Sequence, residues 1–419
     1  MKWLRHKIKA ASIQYVLVIS VIILIVISAF ISLLYLQKRI AQKNELYKET
    51  VHHANLAFSY ISNATIPYDI PTILSFSDHA FEETILSRKH WGAFDVVSVR
   101  ANLKNETFHK VGIIGGSNTT RQALYLKEDN KPLVLVGNTQ IKGDVSLPIK
   151  GVKRGNIAGT SYYGATLIQG TSRHSNSSLP EITNLRFLKE FVNYRNIENK
   201  VDFDLEDDLQ KTQSFKKATA IYNDQQRIYL QNISLSGNII ISSDISINVS
   251  NSALLENVIL IAPEITIESN VKGSFQALAT KKILVKENSI LQYPSVLALF
   301  EEGKEDIAGE KEPLIVISKN VQLKGVVLCE GQTKNTDYNS QLYIAENSVI
   351  TGEVYCKKNL ELRGTVKGSV YTEGFIVRAF GSVYVNHIYN GVIDAVAIPD
   401  QFSGLLMNPT NLSVAKWVY

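Results

Sequence analysis

The chain has 419 residues, 45% hydrophobic and 20% charged, with 44 Lys and Arg against 39 Asp and Glu for a formal net charge of +5. That charge is mild and scattered beyond the N-terminal flank, so nothing in it asks for nucleic acid. The apolar fraction leaves ample material for a core, and two cysteines and eight histidines without ligand spacing leave no zinc motif.

The first element is a basic segment, residues 1–14, with Lys2, Arg5, Lys7 and Lys9 and no acid. Tyr15 to Leu36 follows as an apolar run broken only by Ser20, Ser28 and Ser32. At 1.5 Å per residue its helix is about 33 Å long, enough to cross a bilayer core of about 30 Å. The run exceeds the apolar region of a signal peptide, and Leu33-Leu34-Tyr35-Leu36 is a poor cleavage site. It reads as an uncleaved single-pass anchor in the cytoplasmic (inner) membrane. The basic flank places the N-terminus inside and the C-terminal domain in the periplasm or outside, although Lys38, Arg39 and Lys43 sit on the other flank.

Residues 37–65 read as a stalk that continues the helix. Ile40, Asn44, Tyr47, Val51, Ala54, Phe58 and Ile61 alternate at spacings of four and three and form one seam. That seam packs either on a partner helix or on the protein's own globular part. Pro67 and Pro71 end the helix.

Residues 66–130 read as a small β-rich region, with a strand pair around Lys104-Asn105-Glu106. The glycines of Gly112–Ser117 lack phosphate-loop and dinucleotide spacing and read as a turn. Residues 131–179 read as a first solenoid-like segment, because Leu133–Val145 matches Leu314–Val327 in style. Residues 180–230 read as a helical and polar insertion, with Leu185, Leu188 and Val192 on one helical face and an acidic run at 202–208. Residues 231–391 read as the main β-solenoid, with polar loops at Glu301–Lys311 and Gly331–Ser340, and residues 392–419 as an irregular C-terminal cap.

The solenoid reading rests on a repeat. Gly-x-Val-Tyr occurs at Gly352, Gly368 and Gly381, a relative begins at Gly325, and Gly364 opens a Gly-x-Val step. A unit this short buries its apolar face only by stacking on copies of itself. A β-sandwich is the competing all-β reading. The fold expected is therefore mainly β: one N-terminal transmembrane helix and stalk, then an irregular β-solenoid (β-helix) with a helical insertion.

Cys329 and Cys356 each lie four residues after a repeat glycine. Stacked coils bring such positions about 4.8 Å apart, so an oxidising compartment would favour a disulfide between them. Catalytic β-helices need clustered carboxylates on one face, and these strands offer hydroxyls and aliphatics. The reading is therefore no enzyme, no cofactor, no metal and no catalytic residue. Asn-x-Ser/Thr sequons, such as Asn63 and Asn411, read as composition.

Gly364-Thr-Val-Lys-Gly-Ser-Val-Tyr and Gly381-Ser-Val-Tyr, within residues 321–387, resemble the turns of bactofilins, polymer-forming β-helical proteins of bacteria. The resemblance implies a right-handed β-helix that self-assembles without nucleotide. The chain departs from that family in its interrupted repeats and its anchor. The function expected is a membrane-anchored structural or scaffold protein of the cell envelope. Its partners would be the membrane and other protein subunits, itself among them; no feature calls for a glycan. A minor pilin or secretion-apparatus component is the first alternative. The short basic N-terminus, long helix and β-rich head look like a minor pilin, but the prepilin Gly-Phe-Thr-x-x-Glu stretch is missing. A carbohydrate-active β-helix enzyme is the second.

Overall fold

The computed structural model describes residues 10–61, 66–76, 82–117, 121–194, 200–301, 313–331, 338–408 and 411–418. The basic residues before Ala10 and most of the two expected polar loops lie outside that set. The fold is mainly β, with one long apolar helix at the N-terminus and an irregular parallel β-solenoid. It divides into two compact units: Met1–Ser59, Thr72–Leu86 and Val99–His109 form one, and Tyr60–Pro71, Ser87–Ser98 and Lys110–Tyr419 the other.

In the first unit, the expected anchor and stalk are a single helix, α1 (Ala10–Ile61), with no glycine or proline to break it. Every residue from Ser12 to Glu45 is exposed. From Thr50 onward the helix buries one side through Thr50, His53, Ala54, Ala57 and Phe58. It meets its own globular part: His53 Nδ1 lies 3.0 Å from Glu82 Oε1, and Tyr47 stands edge-on to Phe108. Of the expected seam, Ala54 and Phe58 are buried, while Ile40, Asn44 and Tyr47 are exposed. Thr72–Leu74 pairs antiparallel with the stretch Thr84–Leu86, starting a sheet of five strands.

The second unit holds the solenoid. One parallel ladder runs through Lys200–Asp202, Thr219–Asp224, Ser234–Ser243, Leu254–Ile267, Lys272–Val285, Ile290–Phe300, Gln322–Glu330, Val349–Leu362 and Thr365–Ala379. Parallel pairing throughout this ladder decides against a sandwich. Inward rows are aliphatic: Leu260, Ala277, Leu297, Val327, Val354 and Val370 are register partners in turn and fully buried.

The ladder does not stop at Thr365–Ala379. It continues through Leu124–Leu126, Val145–Leu147 and Ser172–His174, which come earlier in the chain. The first solenoid segment thus starts at Leu124, not at 131, and docks on the last coil of the main stack. Residues 180–230 leave the stack and return to it, but at its other end and already by Lys200. They contain α2 (Leu185–Tyr194), which buries Leu188 and Val192 as expected, and then strands that open the main stack at its far end. The reason is topological: two separate stretches of chain build one stack, so a connection must cross from one end to the other.

Two further expectations are corrected. Gly381 is not a coil position. Ser382–Val385 runs antiparallel to Ala379–Ile376, and Phe380 (φ 53°) and Gly381 (φ 73°) form the two-residue turn of a hairpin. The 392–419 segment is not a cap. Val392–Asp394 is a coil strand between the main stack and the first segment, and Asn411–Val418 pairs antiparallel with Val111–Ser117 in the five-stranded sheet.

Candidate functional site

The Gly-x-Val repeat builds a ladder of missing side chains. Gly325, Gly352 and Gly368 are register partners at φ of 145°, 146° and 149°. A Cβ on Gly352 would fall 1.9 Å from the Gly325 carbonyl oxygen, and one on Gly368 would fall 1.9 Å from that of Gly352. The ladder indents the outer face, and a strap, residues 395–407, fills it. Phe402 lies against Gly352 and Ile398 against Gly368. Gly364 is in a different place, tight against the Ala345 and Ser348 oxygens of the coil corner.

Polar groups tie the strap down. Arg121 donates to the Pro399 and Phe402 carbonyls, and the Tyr293 hydroxyl donates to the Ser403 carbonyl at 2.9 Å. The Leu405 N–H donates to Glu353 Oε2 at 2.7 Å. Gly404 passes where a Cβ would sit 2.2 Å from that same oxygen. The strap's backbone also bonds Gly116 reciprocally, at 2.8 and 2.9 Å. The Gly112–Ser117 glycines therefore lie in a strand, not in a turn, and admit a second backbone at close range.

Burial pushes the Glu353 carboxyl up from 4.5 to about 7, against the pull of the Leu405 N–H and the Arg121 charge. A raised folded value means the native state holds its proton where the unfolded chain has lost it. Stability from this group is full below about pH 4.5 and is lost as pH rises to about 7. The shift corresponds to about 3 kcal/mol. Glu353→Gln keeps the acceptor and removes the titration. In urea unfolding, the variant should gain on the parent between pH 4.5 and 8. An equal difference at both pH values would refute this.

Cys329 and Cys356 are register partners and fully buried, and both are free thiols. The expected adjacency is present and the expected bridge is not. In-register parallel neighbours hold their Cβ atoms at about the strand spacing of 4.8 Å, wider than the ~3.8 Å a disulfide prefers. The hydrogen bond to Cys356, and then burial, pushes the Cys329 thiol well up. Both should resist labelling in the native protein and react fully after unfolding without reductant; neither reacting would mean a bridge had formed.

Outside the solenoid lies a second apolar core. Ile261, Leu278, Ala298 and Leu328 face outward from it and are covered by Leu188 and Phe191 of α2, by Trp91 and by Leu405. The turn at Trp91–Ala93 is clamped by Gln276, whose Oε1 accepts from Ala93 N–H at 2.9 Å and whose Nε2 donates to the Trp91 carbonyl at 2.9 Å. Beside it is a buried charge network. Asp95 accepts from Arg88 Nε and Nη2 at 2.8 and 2.6 Å and from the Tyr68 hydroxyl at 2.9 Å. Its other oxygen lies 3.0 Å from His90 Nδ1. Tyr68, His90 and Phe187 stack, with ring centroids 3.8 and 3.7 Å apart.

No family model matches the chain, and no curated protein matches it. Among solved structures it is similar to the competence-associated pilin ComZ from Thermus thermophilus, at 9% identity and a TM-score of 0.22, over 91% of this chain and 94% of that one.

Among the described residues, no group of three or more His, Cys, Asp or Glu is placed to hold a metal. The acidic run Asp202–Asp208 is exposed on the terminal coil of the stack. The coil corners carry a second signal besides the glycines. Asn270, Asn288, Asn320 and Asn347 all adopt left-handed φ of 60–65° at successive turns.

Proposed function

We infer that the chain is a single-pass, membrane-anchored structural subunit of the cell envelope, carrying a β-solenoid head in the manner of a minor pilin. The supporting observation is α1. Its first part is apolar and wholly exposed, and its last part packs on its own unit. An uncharged run such as Tyr15–Leu36 is not stable bare in water and requires lipid or neighbouring apolar helices. The same arrangement suits a subunit that rests in the bilayer and passes into a bundle of helices.

The basic N-terminal flank supports a cytoplasmic N-terminus and an exported head. The head then offers a solenoid surface for assembly, the scaffold role. Ile25→Arg places a charge mid-span at about 3 kcal/mol or more. The parent chain should fractionate with membranes and resist carbonate extraction, and the variant should shift toward the soluble or degraded fraction. A parent chain that is soluble without detergent would overturn the reading.

A further inference from the structure

One outer face of the solenoid carries a pattern that repeats every second strand. Leu291, Leu323, Ile350, Val366, Ile393 and Ile141 belong to the core, so their neighbours along each strand point outward. In the first outward row Ile290 pairs with Gln322, Gln322 with Val349, Val349 with Thr365, and Thr365 with Val392. Ile290, Val349 and Val392 therefore stand on alternate strands, each half-buried.

The strands between them carry lysine. Lys272 is the register partner of Ile290. Lys324 lies two residues beyond Gln322 and Lys367 two beyond Thr365, and both meet Thr351 in a second outward row. Lys142 lies two residues beyond Gln140, the partner of Val392. The order along the stack is thus Lys, Ile, Lys, Val, Lys, Val, Lys. Lys272, Lys324 and Lys367 are exposed and make no ion pair among the described residues, whereas Lys142 is paired with Asp394 at 3.4 Å. Residues 272–274, 290–292, 322–324, 349–351 and 365–367 include no acid.

Neighbouring strands are about 4.8 Å apart, so the cations recur every ~9.6 Å with an aliphatic position between them. That period selects the partner. An extended peptide repeats every two residues in about 6.8 Å, and phosphates along one strand of a duplex every ~3.4 Å, so neither stays in step. An extended polysaccharide does, because each pyranose ring advances it by close to one strand spacing and a disaccharide spans two strands. An acidic sugar alternating with a neutral one sets a carboxylate at each lysine and the C–H face of the neutral ring at each aliphatic residue.

We propose that this face binds an acidic polysaccharide along the solenoid axis, with one carboxylate per disaccharide. Each solvated lysine contributes little alone, and the affinity comes from several engaging one chain together. No local motif encodes the face; only coil register brings Lys272, Lys324 and Lys367 together. It belongs to the solenoid, so it stands whether or not α1 is held in a membrane.

The test uses the full chain in a detergent without a sugar headgroup. Anisotropy follows a fluorescent hyaluronan oligosaccharide, in which glucuronate alternates with a neutral sugar. It should bind at low salt, and a chitin oligosaccharide of equal length, which has no acid, should bind about tenfold more weakly or less. Polyglutamate with the same number of carboxylates should also bind more weakly, being out of step. Lys324→Glu with Lys367→Glu should lower hyaluronan affinity about tenfold or more. The melting temperature should not move, since both side chains are exposed. Lys153→Glu with Arg154→Glu makes the same charge change on a different sheet and should leave affinity within about twofold. Absence of hyaluronan binding, equal binding of polyglutamate, or equal loss from the two charge-reversed pairs would overturn the proposal.

Discussion

Gly352→Ala should cost about 4 kcal/mol, the sum of a strained left-handed backbone and an overpacked contact. The added Cβ would lie 1.9 Å from the Gly325 carbonyl oxygen and 2.9 Å from the Phe402 ring, at φ of 146°. The coil below and the strap above are both closed against it. Gly381→Ala is the matched control, since that glycine shares the Gly-x-Val-Tyr signature. Its Cβ would meet nothing within 4 Å, and only the φ of 73° opposes it. The expected cost there is about 1 kcal/mol. Equal losses from the two substitutions, measured by urea or thermal unfolding, would mean that the ladder at Gly352 does not have this geometry.

The second large effect should come from Asp95. Its side chain is fully buried, and the Arg88 side chain paired with it is only 10% exposed. Asp95→Ala would leave that cation without its counter-charge, at about 3–5 kcal/mol. It also strips the acceptor from Tyr68 and His90. Replacing the pair together, Arg88→Met with Asp95→Leu, should recover most of the loss, because two apolar groups need no partner. If the double variant is as unstable as Asp95→Ala, the network contributes through shape and not through charge.

Much of the fold was legible in these residues, for physical reasons that can be named. An uncharged run of 22 residues from Tyr15 to Leu36 has few uses other than a membrane. Val326-Val-Leu-Cys329 and Asn257-Val-Ile-Leu-Ile261 are continuous apolar runs without alternation, as parallel strands buried on both faces require. Their outward members cover the second core, whose existence those runs already implied. The order of the stack was not legible. Val370 meeting Leu124 is a contact between residues far apart in the chain, and no local pattern encodes it.

The Gly381 misreading has the same origin. Ser-Val-Tyr-Val alternates equally well in a hairpin arm and in a coil, and only the residue before it, Phe380 at positive φ, separates the two. The polar sites were hidden more deeply. Gln276, Glu353 and Asp95 each matter because of a partner brought up by tertiary folding, and alone each is an ordinary polar residue in a strand. The strap was missed because its role lies in what it covers, the glycine ladder, and not in any motif of its own.

The central claim is that Tyr15–Leu36 is retained as a membrane-held helix continuous with the head. Intact-mass measurement of the native chain, recovered from membranes, tests it most directly. The account predicts a mass that includes the whole of α1, whether or not a few residues before it are removed. A mature chain that begins near Gln37 would contradict it, because the apolar run would then be a discarded signal.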